Sequence, residues 1–106
     1  MSQRDMRYLD RFMRLAYSKN TKVVFLGFLI PKELYSIFEI TGFNKDYRKF
    51  YANLGALYPR AYLIKDPIYC MDNKYFGDMS HLNKEGSGLY TDYFKDEILR
   101  PVKERL

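Results

Sequence analysis

Lys22-Val-Val-Phe-Leu-Gly-Phe-Leu-Ile30, closed by Pro31, is the stretch on which the fold turns. It is apolar at both odd and even positions, the pattern of a strand covered on both faces rather than one. Proline has no N–H to give a strand ladder, so Pro31 is expected to stop it. A second strand is expected at Ala61-Tyr-Leu-Ile-Lys65, interrupted by Asp66-Pro67. Between them lies a helical crossover, which favours a parallel pair with a right-handed connection.

Outward from these strands the spacing is helical. Residues 3–18 place Met6, Leu9, Phe12, Met13, Ala16 and Tyr17 on one broad face and Arg4, Arg7, Arg11 and Arg14 on the other. Leu34, Ile37 and Phe38 mark a short helical stretch over 32–40, and Thr41-Gly42-Phe43 is a break. Asn44 is a suitable N-cap for a helix through about Leu57, with Tyr47, Phe50, Tyr51 and Leu54 inward. After a polar loop from Asp72 to Leu82, Asn83 caps a last helix beginning near Lys84. Leu89, Tyr90, Tyr93, Phe94, Ile98 and Leu99 form its apolar face, and Pro101 is expected to close it. The order is helix, strand, helix, strand, helix. Two strands make a thin sheet, and a fully apolar first strand wants neighbours on both edges.

Composition sets further bounds. A chain of 106 residues is one domain at most, and 47% hydrophobic residues with 18% aromatics is a globular composition. The longest apolar run, Val23 to Ile30, falls far short of the roughly 20 residues of a membrane-spanning helix. No secretory signal peptide is visible, so the cytoplasm is the default expectation. Cys70 is the sole cysteine and cannot form an internal disulfide. The net charge of +5 raises the question of an anionic partner, but ordinary solubility is the preferred reading of it. The arginine stripe is first read as a solvated helix face. The basic-aromatic run Tyr47-Arg-Lys-Phe-Tyr51 has helical spacing, so nucleic acid is not expected as a partner. One His and one Cys do not make a metal site, and no glycine-rich phosphate loop occurs, so neither metal nor cofactor is expected.

The chemistry-bearing residues lie together. His81, the only histidine, follows Asp78 by three positions in a polar loop after a strand. A general base needs one imidazole nitrogen free and the other held by a carboxylate, which one tight Asp-x-x-His loop can supply. A loop histidine that merely bonds a nearby aspartate is the plain alternative on these residues alone. Their surroundings add more. Tyr75-Phe-Gly-Asp-Met-Ser-His-Leu-Asn-Lys-Glu-Gly-Ser-Gly-Leu-Tyr-Thr91 resembles the last motif block of SGNH (GDSL-type) hydrolases, aromatic-x-Asp-x-x-His-Leu-Asn-x-x-Gly followed by an aromatic-Thr pair. Phe76, Asp78, His81, Leu82, Asn83, Gly86, Tyr90 and Thr91 match it. The flavour is similar to the DltD-like and AlgX-like proteins that handle acyl groups on cell-envelope polymers.

The resemblance implies an α/β fold, a partial three-layer α/β/α sandwich of the flavodoxin-like SGNH type with parallel strands. It implies His81 as general base and Asp78 as its orienting carboxylate, with Asn83 a helix cap, Gly86 a close-packing position and Leu82 buried under the loop. The family's nucleophile block, Gly-Asp-Ser after the first strand, and its oxyanion-hole blocks are not recognisable here. Ser80 adjoins His81 too closely in sequence to meet it productively, and Ser36 and Ser87 fit no better. Residues 1–106 therefore read as one incomplete SGNH-like domain: the C-terminal segment of a serine esterase, acyl hydrolase or acyltransferase, inactive alone. Its expected partners are a missing N-terminal portion or partner chain and, once complete, a small acyl ester or acylated glycan. The alternative is a non-catalytic α/β remnant or interaction module with a basic helix face.

Overall fold

The computed structural model describes residues 2–105. At its centre two chain segments run side by side in parallel. Val24–Phe25 (β1) pairs with Tyr62–Leu63 (β3), and Phe28–Pro31 (β2) pairs with Ile68–Met71 (β4). Around them lie Gln3–Ser18 (α1), Lys32–Thr41 (α2), Phe43–Leu57 (α3), Lys84–Tyr93 (α4) and Arg100–Arg105 (α5). The chain is a mixed α/β structure with parallel strand pairs, as the crossover spacing predicts.

The expected continuous strands are each split, and the register says how. Val24 faces Tyr62 and Phe25 faces Leu63, whereas Phe28 faces Ile68, so the second segment carries two more residues than the first across the break. Gly27 makes this possible. A Cβ on it would lie 1.5 Å from the Pro67 carbonyl oxygen, so no side chain fits. Pro67 contributes no N–H, but its carbonyl accepts from Phe28 N–H (2.8 Å). Asp66 Oδ1 accepts the Ile68 N–H (3.0 Å) and restarts the second strand.

The parted strands are bridged by one side chain from α3. Tyr51 Oη donates to the Phe25 carbonyl (2.7 Å) and accepts from Ile64 N–H (2.8 Å), replacing the ladder bond that the break removes. Burial pushes its phenol up to about 12. Next to it, Met13 of α1 packs with Leu54 and Tyr58 to form a core joined by Leu9, Val23, Phe25 and Phe50. Phe28 packs against Tyr47 and Phe43 of α3, while Tyr69 stacks on Tyr93 of α4 with ring centres 3.9 Å apart.

Several local expectations are corrected. Pro31 ends β2 from within, paired with Met71, rather than standing outside it. Asn44 does not cap α3. Gly42, at φ 81°, turns the chain so sharply that α3 begins at Phe43. Asn44 is then fully buried, donating from Nδ2 to the Tyr35 carbonyl (3.1 Å) and Glu39 Oε1 (2.8 Å). Phe12, expected inward, is exposed: it lies on the far side of Ala16 from Met13, Met6, Leu9 and Tyr17, through which the helix packs. Pro101 does not end the last helix. The segment Phe94–Leu99 is π-helical, and Arg100 N–H reaches back five residues to Lys95 O. The widened turn lies where a proline ring would clash with the carbonyl four residues before it, so the helix passes through.

Among the described residues each strand is hydrogen-bonded along one edge only. The accessible surface, 7825 Å², exceeds the roughly 6,300 Å² expected of a compact chain of this mass. Apolar side chains are accordingly left uncovered, Leu26 between the two strand pairs and Ile37 and Ile40 on α2 among them.

Tyr51→Phe is expected to lower unfolding stability by about 1–3 kcal/mol in urea, because two backbone groups lose their partner at once. A loss well below this range would show that the hydroxyl does not hold the break. Gly27→Ala should be worse, with no cooperative unfolding transition remaining.

Candidate active site

The loop carrying Asp78 and His81 is closed at its base before its tip is considered. Asp72 Oδ1 accepts the Lys74 N–H (3.0 Å) and starts a single 3₁₀ turn, Asn73–Tyr75, directly after β4. Phe76 and Leu82 then face each other as an antiparallel bridge, with Gly77 N–H bonded to His81 O (2.8 Å) and Asn83 N–H to Tyr75 O (2.9 Å). Asn83 fastens the loop to the helix behind it. Its Oδ1 accepts Gly86 N–H (2.9 Å) as the expected N-cap, and its Nδ2 donates to Lys74 O (2.7 Å). Gly86 is buried, and a Cβ there would lie 2.2 Å from Tyr75 O, so the close approach predicted for it is real. Leu82 is half-buried beneath the loop.

At the tip the structure brings Asp78 and His81 together. Asp78 Oδ1 accepts the backbone N–H of both Ser80 and His81 (2.8 Å each). Both carboxylate oxygens lie 2.9 Å from His81 Nδ1. An ionised carboxylate only accepts, so Nδ1 is the nitrogen that carries the proton, and Nε2 of the neutral ring keeps the free lone pair. The same contacts, first the Ser80 N–H and then the imidazole, hold the Asp78 carboxyl down at about 2. Both side chains are open to solvent, 61% exposed for Asp78 and 78% for His81. Arrangement and accessibility suit a general base whose orientation is set from behind.

The serines do not complete it. Ser80 Oγ lies 3.1 Å from His81 Nδ1 and 3.2 Å from Asp78 Oδ1, on the protonated side of the ring and away from the basic nitrogen. Ser36 Oγ is bonded to Lys32 O within α2, and Ser87 lies exposed on the first turn of α4. The backbone N–H groups of Ser80 and His81 are already taken by Asp78 and are not available to an oxyanion. Among the described residues no cluster of His, Cys, Asp and Glu converges to hold a metal ion. Cys70, half-buried on β4, has its thiol pushed up by burial and is not poised as a nucleophile.

The chain matches no protein-family model, no curated protein and no solved structure.

One cluster escapes a reading by spacing. Arg48 donates to Tyr35 Oη (3.2 Å) and Asp66 Oδ2 (3.3 Å) and lies 3.6 Å from Glu39 Oε1. These residues come from three segments and meet only because the strand break delivers Asp66 to α3. The hydrogen bond with Tyr35, then that with Asp66, pushes the guanidinium further up from its ordinary range. Asp66 simultaneously caps Ile68, so the cluster serves the break rather than a reaction.

Because Asp78 titrates lower folded than unfolded, its contacts stabilise the loop fully above its ordinary value of 3.8, and this is lost as pH falls through about 2. A carboxyl ¹³C titration should place the Asp78 midpoint near 2. In His81→Ala the midpoint should rise yet stay below 3.8, since the Ser80 N–H remains. A wild-type midpoint at 3.8 would show that the loop is not closed around Asp78.

Proposed function

We propose that the 76–83 loop is the acid–base half of an SGNH-type serine hydrolase or acyltransferase site. His81 is its general base and Asp78 its orienter. The observation that carries this reading is the contact of His81 Nδ1 with both Asp78 oxygens, which leaves Nε2 outward and basic. In the reaction Nε2 takes the proton of a serine hydroxyl as its oxygen attacks an acyl carbonyl. The imidazolium, balanced by Asp78, then gives that proton to the departing alkoxide. Water or an acceptor hydroxyl repeats the sequence to release the acyl group. The serine and the oxyanion donors come from outside residues 1–106, supplied by an N-terminal portion or a partner chain. The substrate class is an acyl ester, either small or borne on a glycan.

Three further features support this reading. The loop follows the carboxyl end of β4, where sites gather in open α/β sheets. Phe28 shares a register position with Ile68, so Tyr69, one residue on, points to the other face. Phe28 contacts Tyr47 of α3 and Tyr69 contacts Tyr93 of α4, which is compatible with the three-layer arrangement that the resemblance implies. The strands also have edges to which further strands can add. A second reading, a non-catalytic α/β interaction module, is favoured by the exposure of the pair and by the uncovered apolar surface.

The test isolates the chain from its native source through an affinity tag, with whatever is bound to it, and treats the assembly with a fluorophosphonate. The expected result is covalent labelling of a serine outside residues 1–106, reduced about 10²–10⁴-fold by His81→Ala. Absence of labelling, or equal labelling in His81→Ala, would leave the non-catalytic module. Imidazole ¹⁵N shifts give an independent readout: the neutral ring should carry its proton on Nδ1, and Asp78→Asn should weaken that preference.

A further inference from the structure

We infer that the outer face of α1 is a docking surface for an anionic lipid bilayer. The inference uses none of the residues of the 76–83 loop and stands apart from the reading of that loop. It begins from a mismatch. Of the helix's apolar residues only Met13 and Ala16 are buried, while Tyr8, Phe12 and Leu15 are 55%, 57% and 57% exposed. At about 100° per residue these three fall within one sector of roughly 60°, on the flank of the helix between the buried Ala16 and the arginines. A solvated helix face carries isolated apolar residues, not three large ones in a row.

The arginines adjoin that sector. Arg14, Arg7, Arg11 and Arg4 occupy the next 80° or so of the helix surface, ending beside Leu15. Arg4 and Arg11 lie 5.9 and 6.0 Å from the centre of the Tyr8 ring, which holds both charges along the apolar stripe. Among the described residues the only carboxylate bonded to any of the four is Asp10, on Arg14 at 2.8 Å. Arg7, Arg11 and Arg14 also line, with Asp10, a groove of about 510 Å³ completed by Met6, Leu57 and Tyr58, with Leu57 itself exposed. The row of positive charge thus borders an apolar stripe on one side and a groove that holds Asp10 on the other.

The occupant that this arrangement matches is an anionic bilayer. Lipid phosphates pair with the guanidinium groups, while Tyr8, Phe12 and Leu15 enter the boundary between headgroups and acyl chains. A nucleic acid would match the arginines, but Leu15 offers it neither stacking nor a hydrogen bond. The requirement for charge and apolar surface together separates a bilayer from any partner held by charge alone.

The full chain should float with vesicles of phosphatidylcholine and phosphatidylglycerol and stay behind with phosphatidylcholine alone. Arg7→Gln and Arg11→Gln should each weaken binding about five-fold. Phe12→Ser with Leu15→Ser should weaken it at least about ten-fold with net charge unchanged. These positions are exposed, and circular dichroism checks that the variants fold. Phe12→Trp should show a blue-shifted emission on adding the anionic vesicles. The inference fails if the chain does not float with anionic vesicles, if the double serine variant floats as well as the wild type, or if the indole emission of the Phe12→Trp variant stays put. Tighter binding to single-stranded RNA than to anionic vesicles at the same salt would overturn it in favour of a nucleic-acid surface.

Discussion

The near-contact between Gly27 and the Pro67 carbonyl is the constraint from which the rest of the structure follows. Two backbones that approach this closely cannot remain in an ordinary ladder, so the paired segments part and re-pair two residues out of step. Parting exposes a carbonyl at Phe25 and an N–H at Ile64 in a half-buried place, where unpaired groups are costly. Tyr51 answers both with one hydroxyl, and that fixes where α3 lies against the strands. Asp66, released by the same break, caps the resumed strand and draws Arg48 down onto it. Backbone sterics, a hydroxyl bridge and an ion pair are one device.

The candidate site depends on that device through β4. Its strand begins at the Asp66 cap and ends at Met71, and the Asp78 loop is tied to the turn that follows. The loop carries its own rigidity beyond that point. Asp78 is bonded to the backbone that carries His81 as well as to its ring, so the carboxylate and the imidazole share one frame. Orientation is therefore set locally, whereas any substrate-binding walls have to be built by other parts of a site.

What was legible in the sequence is what its close neighbours determine. Asn83 caps α4 through a bond to Gly86, three residues away, and Asp78 meets His81 at the same separation. The helices and the parallel sense of the strands were readable from periodicity and crossover length. The misreadings mostly concern residues whose partners are distant. Asn44 looks like a cap until Gly42 turns it towards Tyr35. The run Lys22–Ile30 reads as one continuous strand until Pro67, far along the chain, lies against Gly27 and splits it. Phe12 has the spacing of a core residue, but the helix packs through Met13, Met6, Leu9 and Tyr17 and leaves Phe12 beyond the edge of that face. The layered architecture beyond the two strand pairs, and the hydrolase relationship, rest on resemblance alone.

The π-helical turn before Pro101 sets the phase of everything after it. An extra residue within the turn advances the helix by about 100° relative to an unbroken α-helix. In the observed phase Val102 and Arg105 come round to Val23, Val24 and Tyr62, with the Arg105 guanidinium 5.1 Å from the Tyr62 ring centre. The last helix thereby returns to the strands at the end opposite the Asp78 loop, and clasps both extremities of the pairing with one continuous rod. Counting residues along that rod matters more than their individual propensities. A single insertion or deletion between Phe94 and Leu99 would leave its composition nearly unchanged and turn its clasping face into the solvent.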